Sequence, residues 1–366
     1  MEELTRRVRE AGLVTGLDVV GIGAATPFPE VTETLWARRR QGLNGRLGFT
    51  YSEPDTATDV RCTFLWAERL VVGGRSYLPT AGTPGPAVPG TGRIARFAAS
   101  DAYAPLRAGL EAAAAELSSE GFRAELLIDD NRLVDRAAAF RAGVGWWGKN
   151  SMLLAPGFGP WLLLGSVVTD ALLAVDAPTR RDCGSCSACL PACPTGALVA
   201  PGVLDARLCL AAIAQLPGLI PPRLRSALGD RLYGCDDCLT ACPPGARLVA
   251  AGTSPSGRVS LSEILAAADR TLEARFAHFY LPDRRVRILR RNALVVLGNQ
   301  ADLDFLPMLA GYLGHPDWLL RAHAAWALGQ LGGGVSHSAL RRRFNEETHP
   351  EVRREIEWAL SAPSGK

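Results

Sequence analysis

The 366-residue chain has almost no lysine, and its first 270 residues contain no histidine. The basic residues are arginines except for Lys149 and Lys366, and the five histidines all lie beyond residue 270. The region before them therefore has no imidazole that could serve as a metal ligand or general base. No apolar run reaches the roughly 18 residues that a membrane-spanning helix needs. No Gly-x-Gly-x-x-Gly opens a helix after a strand, so a nucleotide-binding Rossmann domain has no support.

Composition and charge exclude some further classes. The net charge of +3 is too small to indicate nucleic-acid binding by itself, and the 48% hydrophobic content can fill the cores of two or three domains. The first residues are typical of an amphipathic helix and not of a targeting segment. We therefore expect a cytoplasmic protein with reduced cysteines and no membrane partner.

Cysteine, in contrast, is concentrated in one stretch. Eight of the nine cysteines lie between Cys183 and Cys242, in two runs that each end in Cys-Pro. The first run has the spacing of bacterial ferredoxins, in which the fourth cysteine ligates the other cluster of a pair. Exchanging the last ligands gives cluster one as Cys183, Cys186, Cys189 and Cys242, and cluster two as Cys193, Cys209, Cys235 and Cys238. The sequence thus predicts two [4Fe-4S] clusters.

Zinc and disulfides are the alternatives for these cysteines. Two Cys-x2-Cys knuckles would suffice for one zinc ion, but the Cys-Pro endings would then have no explanation. Disulfides need an oxidising compartment, which the N-terminus does not indicate. Iron–sulfur ligation is the interpretation that uses all eight cysteines.

The order of predicted elements divides the chain into three domains. Helices and strands alternate over residues 1–172, which predicts an α/β layer structure, and the cysteine module occupies 173–250. A Pro/Gly-rich loop is predicted over 78–92. A helix is predicted over Asp205–Gln215, with Cys209 carried inward on it.

Two features of the first domain are candidates for chemistry. Asp129 follows a predicted strand, where carboxylates of open α/β sheets face the ligand crevice. Asp135 begins the next helix and has a capping role as its simpler explanation. The segment from Gly143 to Asn150 holds three glycines and two tryptophans. It indicates either a backbone brought close to a large flat ligand or a glycine-rich turn with core indoles.

The last region, 255–366, repeats itself. RRNALVVLGN (290–299), RAHAAWALGQ (321–330) and RREIEWALSA (353–362) align at offsets of 31 and 32 residues. This period predicts HEAT-like helical repeats, with Trp326 and Trp358 in the core. Arginines cluster at 284–291 and 341–343. Rows of arginine of this kind either contact the phosphates of a nucleic acid or form an ordinary charged face exposed to solvent.

Taken together, these motifs resemble the epoxyqueuosine reductase family, whose members are cobalamin-dependent iron–sulfur enzymes of tRNA modification. The matching segments are RAGVGWWGKNSMLL (141–154), CGSCSACLPACPTGAL (183–198), DARLC (205–209), GDRLYGCDDCLTACP (229–243) and RNALVVLGN (291–299). The resemblance implies an α/β cobalamin-binding domain, a ferredoxin-like two-cluster module and C-terminal HEAT-like repeats. One departure is Asp101-Ala-Tyr103, where the family has Asp-Tyr-His.

The resemblance also implies roles for particular residues. Asp129 would be the proton donor, and cobalamin contacts would fall at Asp129, Leu153, Cys235 and Asp236. Arg290 and Arg291 would contact tRNA, in the anticodon region that carries the modified base. The implied reaction converts epoxyqueuosine to queuosine, with electrons passing from the clusters to cobalamin. We further expect a monomer that receives its electrons from an external donor such as flavodoxin or ferredoxin.

Two other classes remain open on the sequence alone. The first is a corrinoid-dependent reductase of a small molecule, similar to reductive dehalogenases, which would act without RNA. The second is an electron carrier with a HEAT docking arm and no enzymatic activity, which would hold iron but no cobalt.

Overall fold

The computed structural model describes residues 1–78, 88–251, 257–282 and 285–361. The helices are α1 Glu2–Thr15, α2 Pro29–Arg40, α3 Pro54–Thr58, α4 Tyr103–Ser119, α5 Asp135–Arg141, α6 Cys189–Ala192, α7 Leu210–Gln215, α8 Pro222–Leu228, α9 Asp237–Thr240, α10 Pro243–Ala251, α11 Leu261–Ala266, α12 Asp269–Arg275, α13 Arg287–Gln300, α14 Leu306–Tyr312, α15 Trp318–Leu331, α16 Gly333–Glu346 and α17 Pro350–Ser361. The strands are β1 Val19–Ala24, β2 Arg69–Ser76, β3 Thr91–Ile94, β4 Ala124–Leu127, β5 Trp146–Trp147, β6 Leu153–Leu154, β7 Leu162–Thr169, β8 Leu198–Ala200, β9 Val203–Leu204, β10 Arg231–Tyr233 and β11 Arg258–Ser260.

The chain forms two compact units. The first unit comprises residues 1–83, 100–209 and 236–254, and the second comprises 84–99, 210–235 and 255–366. The predicted module over 173–250 is therefore divided between the two units. In the ranges that the structure describes, none of the helices is both long and apolar enough to traverse a lipid bilayer.

A four-stranded sheet forms the centre of the first unit. Its order is β1-β2-β7-β4, and all of the pairs are antiparallel. The row of partners Ile22, Val71 and Val167 faces α1 and α4, whereas Leu70 and Val168 face the core beside α5. Both faces are covered, which explains why β2 and β7 are continuous apolar runs. The α/β layering is as predicted, but neighbouring strands run in opposite directions.

The segment around Cys209 differs from its prediction. Helix α7 begins at Leu210, so Cys209 precedes the helix instead of lying on it. The carboxylate of Asp205 accepts hydrogen bonds from the backbone and the guanidinium of Arg207. These bonds form a local side-chain turn before the helix begins.

Helical repeats build most of the second unit. Helices α13, α15 and α17 coincide with the three sequence repeats, and α15 packs against both of the others. A Cβ on Gly298 would lie 2.7 Å from the ring of Trp326, and one on Gly329 would lie 2.7 Å from Ala359. The glycines of the repeat therefore allow neighbouring helices to approach closely.

Two predictions in this unit are wrong. Trp358 is 43% exposed, while Trp326 is buried. The reason is position, because α17 is the last described helix and no further repeat covers its outer face. The last two residues of the predicted loop, 91 and 92, begin β3, the middle strand of the sheet β10-β3-β11. Residues 79–87 of that loop lie outside the described residues.

A buried ion-pair network joins helices of the repeats. The side chain of Glu347 is fully buried, and it pairs with Arg321 at 2.7 Å and with Arg343 at 2.8 Å. Burial acts to raise the pKa of Glu347, but the hydrogen bonds from Arg321, from the backbone at His349 and from Arg343 together lower it to about 2. Glu347 is therefore ionised in the folded protein at neutral pH.

Candidate iron–sulfur and acid site

One cavity of the first unit brings together the four cysteines that the sequence assigns to cluster one. Cys183, Cys186, Cys189 and Cys242 line a space of about 240 Å³, including its open mouth. The remaining lining residues are Lys149, Asn150, Leu154 and Pro243. Cys242 is thus placed beside the first three cysteines although it is the last cysteine in the chain. This arrangement matches the exchange of last ligands between the two runs.

The electrostatics of this cavity favour a bound cation. Burial raises the pKa of the Cys189 and Cys242 thiols, and the neighbouring cysteines act in the same direction. Thiolates at these positions therefore need positive charge close by, which iron supplies. Four sulfurs around an open space fit the four thiolate ligands of a [4Fe-4S] cluster.

Cys193 of cluster two lies in a different environment. Burial acts to raise the pKa of its thiol, but hydrogen bonds from Thr195 and from the backbone amides of Ala197 and Leu198 outweigh it and lower the pKa. The Ala197 amide donates to the sulfur at 3.2 Å. This loop is therefore built to hold a thiolate. Of the other three predicted ligands, Cys209 and Cys238 belong to the first unit, and Cys235 is the last residue of a segment of the second.

Asp129 lies on a constrained loop after β4. It is exposed, it has a φ of 51°, and its Oδ2 accepts a hydrogen bond of 2.6 Å from the hydroxyl of Tyr103, the first residue of α4. Aspartate tolerates this left-handed backbone better than most residues. The sheet is antiparallel, so the carboxyl end of the neighbouring strand does not lie beside Asp129. The hydrogen-bond partner of Asp129 comes instead from the N-terminus of α4. The neighbouring Asp130 forms an ion pair with Arg132 and therefore has a structural role.

Asp135 and Arg136 begin α5, and the charge of Asp129 is near enough to act on both side chains. Burial raises the pKa of Asp135 well above its usual range, and the charge of Asp129 acts in the same direction. Its Oδ1 is buried and finds no hydrogen-bond partner in the described part of the chain. Arg136 is exposed, and its guanidinium donates to the carbonyl oxygen of Ser151 at 2.7 Å. Beside Asp129 the chain thus presents a carboxyl oxygen without a partner among the described residues and a guanidinium group at the surface.

The predicted cobalamin contacts are mostly not surface side chains. Leu153 is 3% exposed and Asp236 is 4% exposed, while Cys235 is half-buried. The glycine-rich segment also has an internal explanation. A Cβ on Gly145 would lie 2.2 Å from the carbonyl oxygen of Leu154, and one on Gly143 would lie 2.6 Å from the carbonyl oxygen of Ala177. The glycines therefore admit the protein's own backbone, as the turn interpretation requires.

Arg290 and Arg291 are placed in the core of the second unit. Arg291 is 1% exposed, and its guanidinium donates to the carbonyl oxygens of Leu216, Gly218 and Ile213. Arg290 is 8% exposed and donates to Asp269 and to the carbonyl oxygen of Ala267. This placement corrects the expectation of an exposed basic patch and argues against a direct contact of these two residues with tRNA. Arg284 of the same row lies outside the described residues.

Three residues of the site were not selected from the sequence. Tyr103 reaches Asp129 through a tertiary contact that no local pattern announces, and Arg136 directly follows Asp135 at the start of α5. Asn150 ends the segment GWWGKN, and its position next to an isolated lysine was a signal that could have selected it.

Comparison with known proteins agrees with this geometry. Residues 182–245 match the 4Fe-4S double cluster binding domain, and residues 282–361 match HEAT repeats. The epoxyqueuosine reductase of Bacillus anthracis is 30% identical over 98% of this chain and 97% of its own length.

Two solved structures are similar over 98% of both chains. One is an epoxyqueuosine reductase with an epoxyqueuosine-modified tRNA-Tyr stem loop, at 30% identity and a TM-score of 0.89. The other is epoxyqueuosine reductase from Bacillus subtilis with its catalytic aspartate loop swung out of the active site, at 28% identity and a TM-score of 0.88.

The fold and the site define an oxidoreductase that combines a layered α/β unit, a double iron–sulfur cluster domain and HEAT repeats. The similarity extends over almost the whole chain and includes the cysteine segment and the helical tail. The chain belongs to the epoxyqueuosine reductase family.

Proposed function

We propose that this protein reduces epoxyqueuosine to queuosine in tRNA. The observation that carries the proposal is the full-length similarity to epoxyqueuosine reductases, together with a cavity lined by four predicted cluster ligands. The net reaction consumes two electrons and two protons. It removes the epoxide oxygen as water and leaves a carbon–carbon double bond.

The two [4Fe-4S] clusters supply the electrons. Cluster one is assigned to Cys183, Cys186, Cys189 and Cys242, and cluster two to Cys193, Cys209, Cys235 and Cys238. We assign the protein to the cytoplasm because iron ligation needs reduced cysteine thiolates. A flavodoxin or ferredoxin would recharge the clusters, and the protein would act as a monomer.

Cobalamin is the second proposed cofactor. When bound, it supplies a low-valent cobalt that can deliver electrons to a carbon atom. The residues present fit such a group, because Oδ1 of Asp135 has no partner among the described residues and Arg136 is exposed, so both side chains can bond to a ligand with polar edges. Asp129, Leu153, Cys235 and Asp236 are the assigned contacts. Leu153 and Asp236 would contribute main-chain atoms, since their side chains are buried.

Asp129 is assigned as the proton donor to the leaving oxygen. The hydrogen bond from Tyr103 occupies Oδ2 and leaves Oδ1 to hold the proton and deliver it. Tyr103 is thus a positioning residue that fixes the carboxyl group of Asp129 on its loop. The similar Bacillus subtilis enzyme also has its catalytic aspartate on a loop.

Substrate tRNA requires donors that are free at the surface. Arg341 and Arg342 of α16 are exposed, whereas Arg343 is held by Glu347. We therefore assign phosphate contacts to Arg341 and Arg342 in preference to Arg290 and Arg291. Phosphate contacts of this kind make binding depend on salt concentration.

The test is an anaerobic assay of reconstituted protein with added cobalamin and a chemical reductant. Three substrates are compared: a tRNA stem loop bearing epoxyqueuosine, the free nucleoside and a halogenated aromatic compound. We expect queuosine to form in the stem loop, as measured by mass spectrometry of nucleosides. Turnover of the halogenated compound alone would contradict the proposal.

Asp129→Asn provides the matched variant for this assay. It should keep about eight irons per chain and retain bound cobalamin, yet lose about 100-fold or more of its turnover, because the amide cannot donate the proton. Full activity in this variant would reassign the acid, and Asp135 would be examined next.

A further inference from the structure

Asn150 presents an unused hydrogen-bond donor at the cluster one cavity. It lines the cavity and is 4% exposed. Its Oδ1 accepts a hydrogen bond of 3.1 Å from the backbone amide of Met152, which identifies the other amide atom as nitrogen. That atom, Nδ2, is buried and has no hydrogen-bond partner among the described residues. Burying a donor without an acceptor is unfavourable, so an acceptor is expected in the cavity.

Lys149 places a positive charge beside the same ligands. Its ammonium donates to the carbonyl oxygen of Gly184 at 2.7 Å and lies 3.5 Å from the hydroxyl of Ser187. Both partners belong to the loop between Cys183 and Cys189. In a chain whose only other lysine is Lys366, this ammonium is held directly against the cluster one ligand loop.

The turn between β5 and β6 holds both side chains in place. The amide of Gly148 donates to the carbonyl oxygen of Met152 at 2.8 Å, and the amide of Gly202 donates to the carbonyl oxygen of Lys149 at 2.8 Å. A Cβ on Gly148 would lie 2.4 Å from Oδ1 of Asn150, so only glycine admits this amide orientation. The backbone of the turn therefore fixes the orientation of the Asn150 amide donor.

We propose that Lys149 and Asn150 set the reduction potential of cluster one. Nδ2 of Asn150 donates to a sulfur of the cluster, and the ammonium of Lys149 adds a nearby positive charge. Gaining one electron makes the cluster more negative, and both groups stabilise that form, so they raise its potential. No bond is formed or broken in this step. The inference rests on the ligand set proposed for cluster one.

The experiment is a redox titration of the anaerobic, reconstituted full-length protein, followed by electron paramagnetic resonance. Asn150→Ser removes the amide donor, while the serine hydroxyl can still accept from the Met152 amide in the same kind of turn. Lys149→Met removes the charge, and Lys149→Arg retains it. Arg6→Gln, on the exposed face of α1, controls for loss of a distant positive charge.

We expect Asn150→Ser and Lys149→Met each to disfavour reduction of one cluster by about tenfold, which is roughly 59 mV for one electron. The other cluster should keep its potential, and Lys149→Arg should restore most of the shift. Unchanged potentials of both clusters in Asn150→Ser and Lys149→Met would overturn the proposal. So would equal shifts of both clusters, or a shift as large in Arg6→Gln.

Iron content separates this inference from the ligand assignment beneath it. If Cys242→Ser keeps about eight irons, the ligand set of cluster one is wrong, whatever the potentials show. If Asn150→Ser loses iron, the comparison of Lys149→Met with Lys149→Arg decides, because both leave the turn intact. No difference in potential between these two variants would then refute the tuning role.

Discussion

Replacing Arg291 by methionine distinguishes a structural arginine from a tRNA-binding one. Methionine keeps much of the side-chain volume and removes the guanidinium. In the folded protein that group donates to carbonyl oxygens of Leu216, Gly218 and Ile213 at 2.6, 2.8 and 3.0 Å. It also donates to Oδ1 of Asn292. The variant would leave these acceptors buried without their donor.

The expected loss of stability follows from this burial. Arg291 is 1% exposed, so water offers its acceptors little compensation. Leaving a buried acceptor without its donor costs about 1–3 kcal/mol, so the loss of all three carbonyl partners is expected to cost about 3–5 kcal/mol. For a unit of this size, each kcal/mol lowers the melting temperature by roughly 2–4 °C, which gives a decrease of about 6–20 °C.

Thermal unfolding by far-ultraviolet circular dichroism measures this change, and a filter-binding titration measures tRNA affinity in parallel. The matched control is Arg342→Ala, which removes an exposed arginine of α16 and should change the stability by no more than about 0.5 kcal/mol. An Arg291→Met variant that melts like the parent protein but binds tRNA weakly would refute the structural assignment.

Four further predictions follow from the site and the fold. Cys209→Ser should lower the iron content from about eight to about four per chain, and unchanged iron would remove Cys209 from the ligands. Tyr103→Phe should reduce kcat by about 10- to 100-fold with little change in KM, because the carboxyl group of Asp129 stays in place but loses the hydrogen bond that orients it. An unchanged kcat would contradict this role of Tyr103. The double variant Arg341→Ala with Arg342→Ala should flatten the salt dependence of tRNA binding by roughly 1.4–1.8 logarithmic units per decade, and an unchanged slope would exclude these contacts. Glu347 has a pKa lowered to about 2 in the folded protein, so its contribution to stability is present above its unfolded pKa of about 4.3 and is lost as the pH falls towards 2. Glu347→Gln should therefore be destabilised by roughly 3 kcal/mol at neutral pH and match the parent near pH 2, in denaturant titrations across that range.

The cysteine partition shows what a spacing can predict. The run from Cys183 to Cys193 carries its own geometry, because short loops can point only certain sulfurs inward. The placement of Cys242 beside Cys183 followed from counting ligands, and the structure brings these residues to one cavity. The HEAT repeats were predictable for a related reason, since each repeat must bury the same face against its neighbour.

The arginines and glycines show where prediction from the sequence ended. A row of arginines has the same pattern whether it faces solvent or donates to buried carbonyl groups, as Arg291 does. A glycine at position 145 reads the same in the sequence whether the space beside it is filled by a ligand or, as here, by the carbonyl group of Leu154. In each case the deciding partner lies far away in sequence or across a strand pair, so no local pattern contains it.

The sequence by itself determined the cluster chemistry, the α/β class and the helical tail, because spacing and periodicity encode local geometry directly. Only the tertiary structure decided that Tyr103 holds Asp129 and that Arg290 and Arg291 are internal. It also decided that Nδ2 of Asn150, at the cluster one cavity, has no partner among the described residues. Those facts depend on which distant atoms share a neighbourhood and on how much water reaches them. Both quantities arise when the chain packs.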